Sequence, residues 1–197
     1  DGIALAGIAQ EILFLNDDDF EIINNKDLDI YNAIGEKIER EKVLNNIDAS
    51  IIGKGNYRHF MQKEIHEQPE TIAHSIAEMY TPEGEISPEL LKLVSSKPKS
   101  ITILAAGTSH YAGMIGKYWI ESISKISVNV ETASEYRYRS PFQDPKSIAI
   151  VISQSGESLD TLMAMRHAKD GGMKTVALVN SVGSTIDREA DFSLYTR

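Results

Sequence analysis

Two stretches in the second half of this chain are apolar almost without a break: Ile101-Thr102-Ile103-Leu104-Ala105-Ala106 and Ser147-Ile148-Ala149-Ile150-Val151-Ile152. Thr175-Val176-Ala177-Leu178-Val179 repeats the pattern. Side chains alternate between the two faces of a strand, so consecutive apolar residues place greasy groups on both. Such a strand is stable only with both faces covered, which is the signature of a parallel sheet sandwiched by helices. The segments between the runs read as helices, over Tyr111 to Ile123 and over Leu159 to Lys169, the latter ended by Gly171-Gly172. Val128 to Glu131 is a shorter strand, and Phe192 to Tyr195 starts one more. Strand and helix in alternation give an α/β fold, a parallel sheet with helices on both faces. The chain stops on a strand without a following helix, so it reads as a piece of something longer.

The first half has a different grammar. Glu11-Ile12-Leu13-Phe14-Leu15 is strand-like and Asn16-Asp17-Asp18-Asp19 a turn. The alternating Phe20-Glu21-Ile22-Ile23, the turn Asn24 to Asp27 and Leu28-Asp29-Ile30-Tyr31-Asn32 follow as an antiparallel meander, after the small apolar run Ile3 to Ala9. Gly53-Lys54-Gly55-Asn56 is a flexible joint. Beyond it, Phe60, Ile65, Ile72 and Ile76 recur near helical spacing, with Pro69 expected to break the segment into two helices. Ser87-Pro88-Glu89 starts a short helix through Val94, with serine as its N-cap and proline first. The chain thus divides into an antiparallel β segment (1–50), a helical linker (51–98) and the α/β domain (99–197).

Charge follows the same division. Residues 1–50 hold 12 acidic and 4 basic side chains, and the remainder 17 and 16, within a net charge of −9. A chain this acidic lacks the basic footprint that nucleic acid requires. No stretch approaches the ~20 apolar residues of a membrane helix, and the start lacks the basic n-region of a secretory signal, so a cytoplasmic protein is expected. The absence of cysteine excludes disulfides, thiolate metal sites and a cysteine nucleophile within these residues. His66-Glu67 resembles the opening of a zinc helix, but no histidine follows four residues on and Pro69 interrupts the turn. The acids Asp17 to Asp19 lack the glycine and distant glutamate of a calcium loop.

In an open parallel sheet, ligands bind beyond the carboxyl ends of the strands. Two of those ends carry the same kind of turn: Ala106-Gly107-Thr108-Ser109-His110, and Ser153-Gln154-Ser155-Gly156-Glu157-Ser158. Glycine lets the backbone approach a ligand, the helix start offers free N–H groups, and the hydroxyls add donors. Neither turn contains Lys or Arg, which disfavours a nucleoside triphosphate, and neither offers the GxGxxG of a dinucleotide site. A single phosphate monoester on a polar small molecule fits neutral donors. The plainer reading is that both turns only cap helices, although Gln154 has no obvious purpose in a cap. Glu157 reads either as a catalytic carboxylate or as an acid in a helix first turn. Ser134-Glu135-Tyr136-Arg137-Tyr138-Arg139 suits a subunit interface or a cleft wall, and His110 and His167 read as packing or surface residues.

These motifs resemble the sugar isomerase (SIS) domain, whose sheet is flavodoxin-like. Together with Tyr57-Arg58-His59-Phe60-Met61-Gln62-Lys63-Glu64-Ile65-His66-Glu67-Gln68-Pro69, they are similar to the glutamine–fructose-6-phosphate aminotransferase branch of that superfamily. The resemblance implies conversion of fructose 6-phosphate and glutamine to glucosamine 6-phosphate and glutamate, without cofactor or metal. Residues 1–50 would be the end of a glutaminase domain, 51–98 the linker and 99–197 a first SIS domain. Gly107, Thr108, Ser109, Ser153, Gln154, Ser155 and Ser158 would hold the sugar phosphate, and pairing into a homodimer through SIS domains is implied. Two departures are Ala106, where the family often has cysteine, and Ser158, where it usually has threonine. The catalytic groups of the family lie outside these residues, so none is assigned here. The rival function is a SIS module that senses phosphosugars without catalysis.

Overall fold

The computed structural model describes residues 5, 7–24, 27–45, 53–95 and 97–196, and the chain forms two compact units, Asp1–Asn56 and Tyr57–Arg197. In the first, β1 (Glu11–Leu13) pairs antiparallel with β5 (Lys42–Leu44). Strands β2 (Phe20–Ile23), β3 (Leu28–Tyr31) and β4 (Lys37–Ile38) form the expected meander. The acidic turn closes on itself: Asn16 N–H donates to Asp19 Oδ2 at 2.8 Å, and Arg40 donates to both oxygens of Asp19 at 2.8 and 3.0 Å. The Arg40 guanidinium holds the Asp19 carboxyl below its ordinary pKa, so this acid is an ion-pair partner. Ile3, Ala4 and Ala6 of the Ile3 to Ala9 run, and Asn25 and Lys26 of the Asn24 to Asp27 turn, lie outside the described residues.

The second unit opens with α1 (Phe60–Ala77), a single helix with Pro69 inside it. The expected break at Pro69 is absent. A proline removes one backbone hydrogen bond, and eight residues of helix on its C-terminal side propagate regardless. Thr71 Oγ1 donates to Gln68 O at 3.1 Å, serving a carbonyl beside the proline. Helix α2 (Pro88–Ser95) is capped as expected, with Leu90 N–H donating to Ser87 Oγ at 3.3 Å.

The remaining elements are β6 (Ser100–Ala105), α3 (Gly107–Ser124), β7 (Ser127–Thr132), α4 (Ala133–Tyr136), β8 (Ile148–Ser153), α5 (Leu159–Asp170), β9 (Lys174–Val179), α6 (Thr185–Glu189) and β10 (Phe192–Tyr195). The five strands form one parallel sheet in the order β10-β9-β8-β6-β7. Alternation sorts the apolar runs as the sequence anticipates. Leu104, Ala149, Val151, Ala177 and Val179 bury against Leu162, Met165 and Ala168 of α5. Ile101, Ile103 and Val128 point the other way, with Ile120 of α3 packed on them. Gly113 lets α3 lie close to the sheet, since a Cβ there would sit 2.8 Å from Ile103 Cγ2. Helix α3 begins four residues earlier than the apolar pattern suggests, so Gly107, Thr108 and Ser109 form its first turn.

Candidate functional site

The strand order places a reversal at the middle of the sheet. From β6 the chain moves through α3 to β7 on one side, and from β8 through α5 to β9 on the other. The two helices leave toward opposite faces, which opens a crevice outside the carboxyl ends of β6 and β8. Ala105 and Ile152 are register partners in these neighbouring strands, so the turns that follow them start side by side. All seven residues singled out from the sequence belong to these two turns: Gly107, Thr108 and Ser109 to the first, Ser153, Gln154, Ser155 and Ser158 to the second.

In the first turn Ala106 is the N-cap, in extended conformation, and Gly107 has φ +56°. Nothing lies within 4 Å of where a Cβ on Gly107 would stand, so backbone conformation, not crowding, asks for glycine there. Thr108 is exposed and Ser109 half-buried, and the N–H groups of this first turn have no intrahelical acceptor. The Nδ1 of His110 is buried without a partner among the described residues, and its ring packs edge-on against Tyr111 at 6.0 Å.

The second turn is tied together by its own serines. Ser153 is 6% exposed and its Oγ accepts the Gly156 N–H at 3.1 Å. Ser155 Oγ accepts from Glu157 N at 3.2 Å, and Ser158 Oγ accepts from Thr161 Oγ1 at 3.1 Å. Each hydroxyl has spent acceptor capacity inside the turn and keeps its own proton to donate. Ser158 is also the N-cap of α5, whose first N–H groups emerge at the same place. The arrangement is rich in donors and contains no cation, which suits an anionic oxygen cluster of low charge.

Glu157 is not in the first turn of α5, because it precedes the N-cap. Its Oε1 accepts the Thr185 N–H at 2.8 Å, so it bridges to the first residue of α6. The acid in the first turn is Asp160, paired with Arg137 at 2.7 Å. Arg139 pairs with Glu131 at 2.5 Å, and Tyr136 is buried with its hydroxyl accepting from Gln143 Nε2 at 3.1 Å. Burial pushes the Tyr136 hydroxyl pKa up. Tyr136 and Arg137 thus tie the aromatic and basic stretch to α5, while Tyr138 is exposed. Among the described residues no group of three or more His, Asp or Glu side chains could hold a metal ion, and no helix is long and apolar enough to cross a membrane.

A third turn belongs to this edge and escaped the sequence reading. Asn180-Ser181-Val182-Gly183-Ser184 follows β9 and grips the second turn. Asn180 N–H donates to Gln154 O at 3.2 Å, Ile186 N–H to Gly156 O at 3.0 Å, and Gln154 Nε2 to Asn180 Oδ1 at 3.3 Å. Gly156 has φ +67°, and a Cβ on it would stand 1.9 Å from Ser184 Oγ. The available signal was the recurrence, after a third buried strand, of glycine and hydroxyl residues at a strand end.

Known proteins share this sequence and architecture. A glutamine–fructose-6-phosphate aminotransferase (isomerizing) from Zymomonas mobilis is 42% identical over 197 residues, all of this chain and 32% of that protein. The protein of the same name from Rhizobium meliloti is 42% identical over 192 residues, 97% of this chain and 32% of its own. The chain thus spans about a third of the length of these relatives. Among solved structures, the C-terminal domain of glucosamine-fructose-6-phosphate aminotransferase from Francisella tularensis superposes with a TM-score of 0.69 at 41% identity, covering 74% of this chain and 41% of that one. The family model of the SIS domain matches residues 94–197, which contain the entire parallel sheet and all three turns. The chain belongs to the SIS domain family.

Proposed function

We propose that this chain is the sugar-phosphate-binding part of an enzyme that makes glucosamine 6-phosphate and glutamate from fructose 6-phosphate and glutamine. One observation carries the reading: two turns of glycine, hydroxyls and free helix N–H groups start side by side at the reversal point of the sheet. Thr108, Ser109, Ser153, Gln154 and Ser155 hold the sugar phosphate and nearby hydroxyls, Ser158 completes the cradle, and Gly107 allows close approach. Hydrogen bonds to a charged acceptor contribute ~1.5–3 kcal/mol each, so a few neutral donors suffice without lysine or arginine. The relatives' name supplies the reaction, and the antiparallel first unit is compatible with 1–50 as the end of a glutaminase domain, 51–98 as linker and 99–197 as SIS domain. With no cysteine for glutamine hydrolysis, the chain by itself binds the sugar phosphate and turns nothing over. In the cell the parent enzyme works in the cytoplasm as a homodimer joined through SIS domains.

An amide NMR titration with fructose 6-phosphate, and with unphosphorylated fructose as control, tests this. Saturable shifts at residues 107–109 and 153–158 are expected with the phosphate only. Ser155→Ala is expected to weaken that binding by ~1–3 kcal/mol. An unchanged affinity in Ser155→Ala would leave the turns as helix caps. Conversion of fructose 6-phosphate by the pure chain would overturn the assignment of catalysis to other parts of the enzyme.

A further inference from the structure

At the amino ends of β9 and β10, on the edge of the sheet opposite the crevice, the second unit holds a cavity of about 520 Å³. Strand β9 is six residues long, so the cavity lies roughly 20 Å from the turns at the carboxyl ends. Its chemistry is the reverse of the crevice's. Lys92 from α2, Lys169 from α5 and Lys174 from β9 all line it, in a chain whose net charge is −9. One carboxylate among its lining residues, Asp191, has both oxygens taken: Oδ1 by Lys169 Nζ at 3.2 Å, and Oδ2 by the Thr175 N–H at 2.8 Å and the Thr175 hydroxyl at 2.9 Å. Lys169 also donates to Glu189 O at 2.6 Å. Lys92 and Lys174 are different: both are exposed, and neither has a hydrogen bond or ion pair among the described residues. The nearby end of α5 does not oppose an anion, because the N–H groups of Gly171, Gly172 and Met173 engage the carbonyls of His167, Lys169 and Ala168 at 3.2, 2.9 and 3.1 Å. Leu93, Met173 and Phe192 give the cavity an apolar side. A free lysine is ordinary on a surface, but two from separate elements that open on one partly apolar cavity of this size form a binding site's arrangement.

We propose that this cavity binds an organic phosphate, a monoester paired with the Lys92 and Lys174 ammonium groups whose apolar body lies against Leu93, Met173 and Phe192. An ammonium is a compact point charge that suits the tetrahedral oxygens of a phosphate. A carboxylate is matched best by the planar fork of arginine, and no arginine is among the described residues that line the cavity. A monoester carries ~1.5–2 negative charges near neutral pH, which two free cations balance. The site stands independently of the sugar-phosphate reading, since it shares no residue with the crevice.

The test is an amide NMR titration of the full chain with phenyl phosphate, and with inorganic phosphate and phenol as the two halves of that probe. Phenyl phosphate is expected to give saturable shifts at Leu93, Lys174, Thr175 and Phe192, with each half binding there more weakly. Lys92→Gln and Lys174→Gln are each expected to weaken phenyl phosphate about two- to fivefold, the effect of one exposed ion pair. Lys92→Arg and Lys174→Arg keep the charge and are expected to retain most of the binding. Added salt is expected to weaken it, because the attraction is between exposed charges. No saturable shift at these amides in the folded protein, or an unchanged affinity in the Lys92→Gln, Lys174→Gln double variant, would overturn the proposal. Equal affinities for phenyl phosphate and inorganic phosphate would overturn the assignment of an organic ligand. The crevice is read separately in the same spectra: absence of fructose 6-phosphate shifts at residues 107–109 and 153–158 would bring down the sugar-phosphate reading and leave the cavity's own amides to decide this one.

Discussion

Replacing Gly156 with alanine changes the second turn in two separable ways. At φ +67° a non-glycine residue pays the left-handed penalty, roughly 1–2 kcal/mol. The new Cβ would also stand 1.9 Å from Ser184 Oγ and 2.5 Å from Ser184 Cβ, so the loop before α6 must shift, an overpacking cost of about 1–3 kcal/mol. The sum is about 2–5 kcal/mol. At roughly 3–4 °C per kcal/mol for a unit of this size, the melting temperature should fall by about 6–20 °C. Gly107→Ala is the internal reference: φ is +56° but nothing lies within 4 Å of its Cβ, so only the ~1–2 kcal/mol backbone penalty applies. Ser184→Gly removes the obstructing side chain, and at an N-cap glycine costs only a few tenths of a kcal/mol. In the Gly156→Ala background it should recover at least ~1 kcal/mol, the lower end of the collision cost. Thermal melts followed by circular dichroism measure all four variants. If Gly156→Ala and Gly107→Ala melt together, or if Ser184→Gly restores nothing, the interlock between the two turns does not carry the energy assigned to it.

Two further expectations follow from packing and charge. Gly113→Ala should cost about 1–3 kcal/mol in overpacking, since its Cβ meets Ile103 Cγ2 at 2.8 Å, and the ~0.8–1 kcal/mol that alanine returns as the better helix former leaves a net loss of up to about 2 kcal/mol; a raised melting temperature would show that α3 is free to move off the sheet. Arg166 donates to Glu189 at 2.8 and 2.5 Å, tying α5 to α6 and holding the Glu189 carboxyl below its ordinary pKa. A carboxyl depressed in the fold stabilises it above the unfolded pKa of about 4.3, and that contribution is lost as pH falls through the lower folded value. Glu189→Gln should therefore lose less stability than the parent on acidification below about pH 5, and identical acid slopes would refute the coupling.

Local chemistry sufficed for much of this molecule. A strand buried on both faces shows itself as an unbroken apolar run whatever its neighbours are, which is why β6, β8 and β9 were legible. The Ser87 cap was legible for the same reason, because a helix start is satisfied by residues within one turn of it. The hydroxyl and glycine turns after β6 and β8 were visible as chemistry. Their adjacency was not, since it depends on strand order, and a reversal between β6 and β8 leaves no mark in either strand's own pattern.

The sequence by itself determined which residues could carry an anion: donors without cations, placed where strands enter helices. Only the tertiary structure decided what each of them is free to do. Pro69 lies inside a continuous helix because helix on both sides outweighs one missing hydrogen bond. Glu157 is a bridge to Thr185, Gln154 is hydrogen-bonded to Asn180, and Gly156 leaves the space that Ser184 fills. Each of those partners lies more than twenty residues away along the chain. Such pairs form only when β8 and β9 become neighbours and bring their carboxyl ends together, so no window of local sequence contains both halves of the interaction.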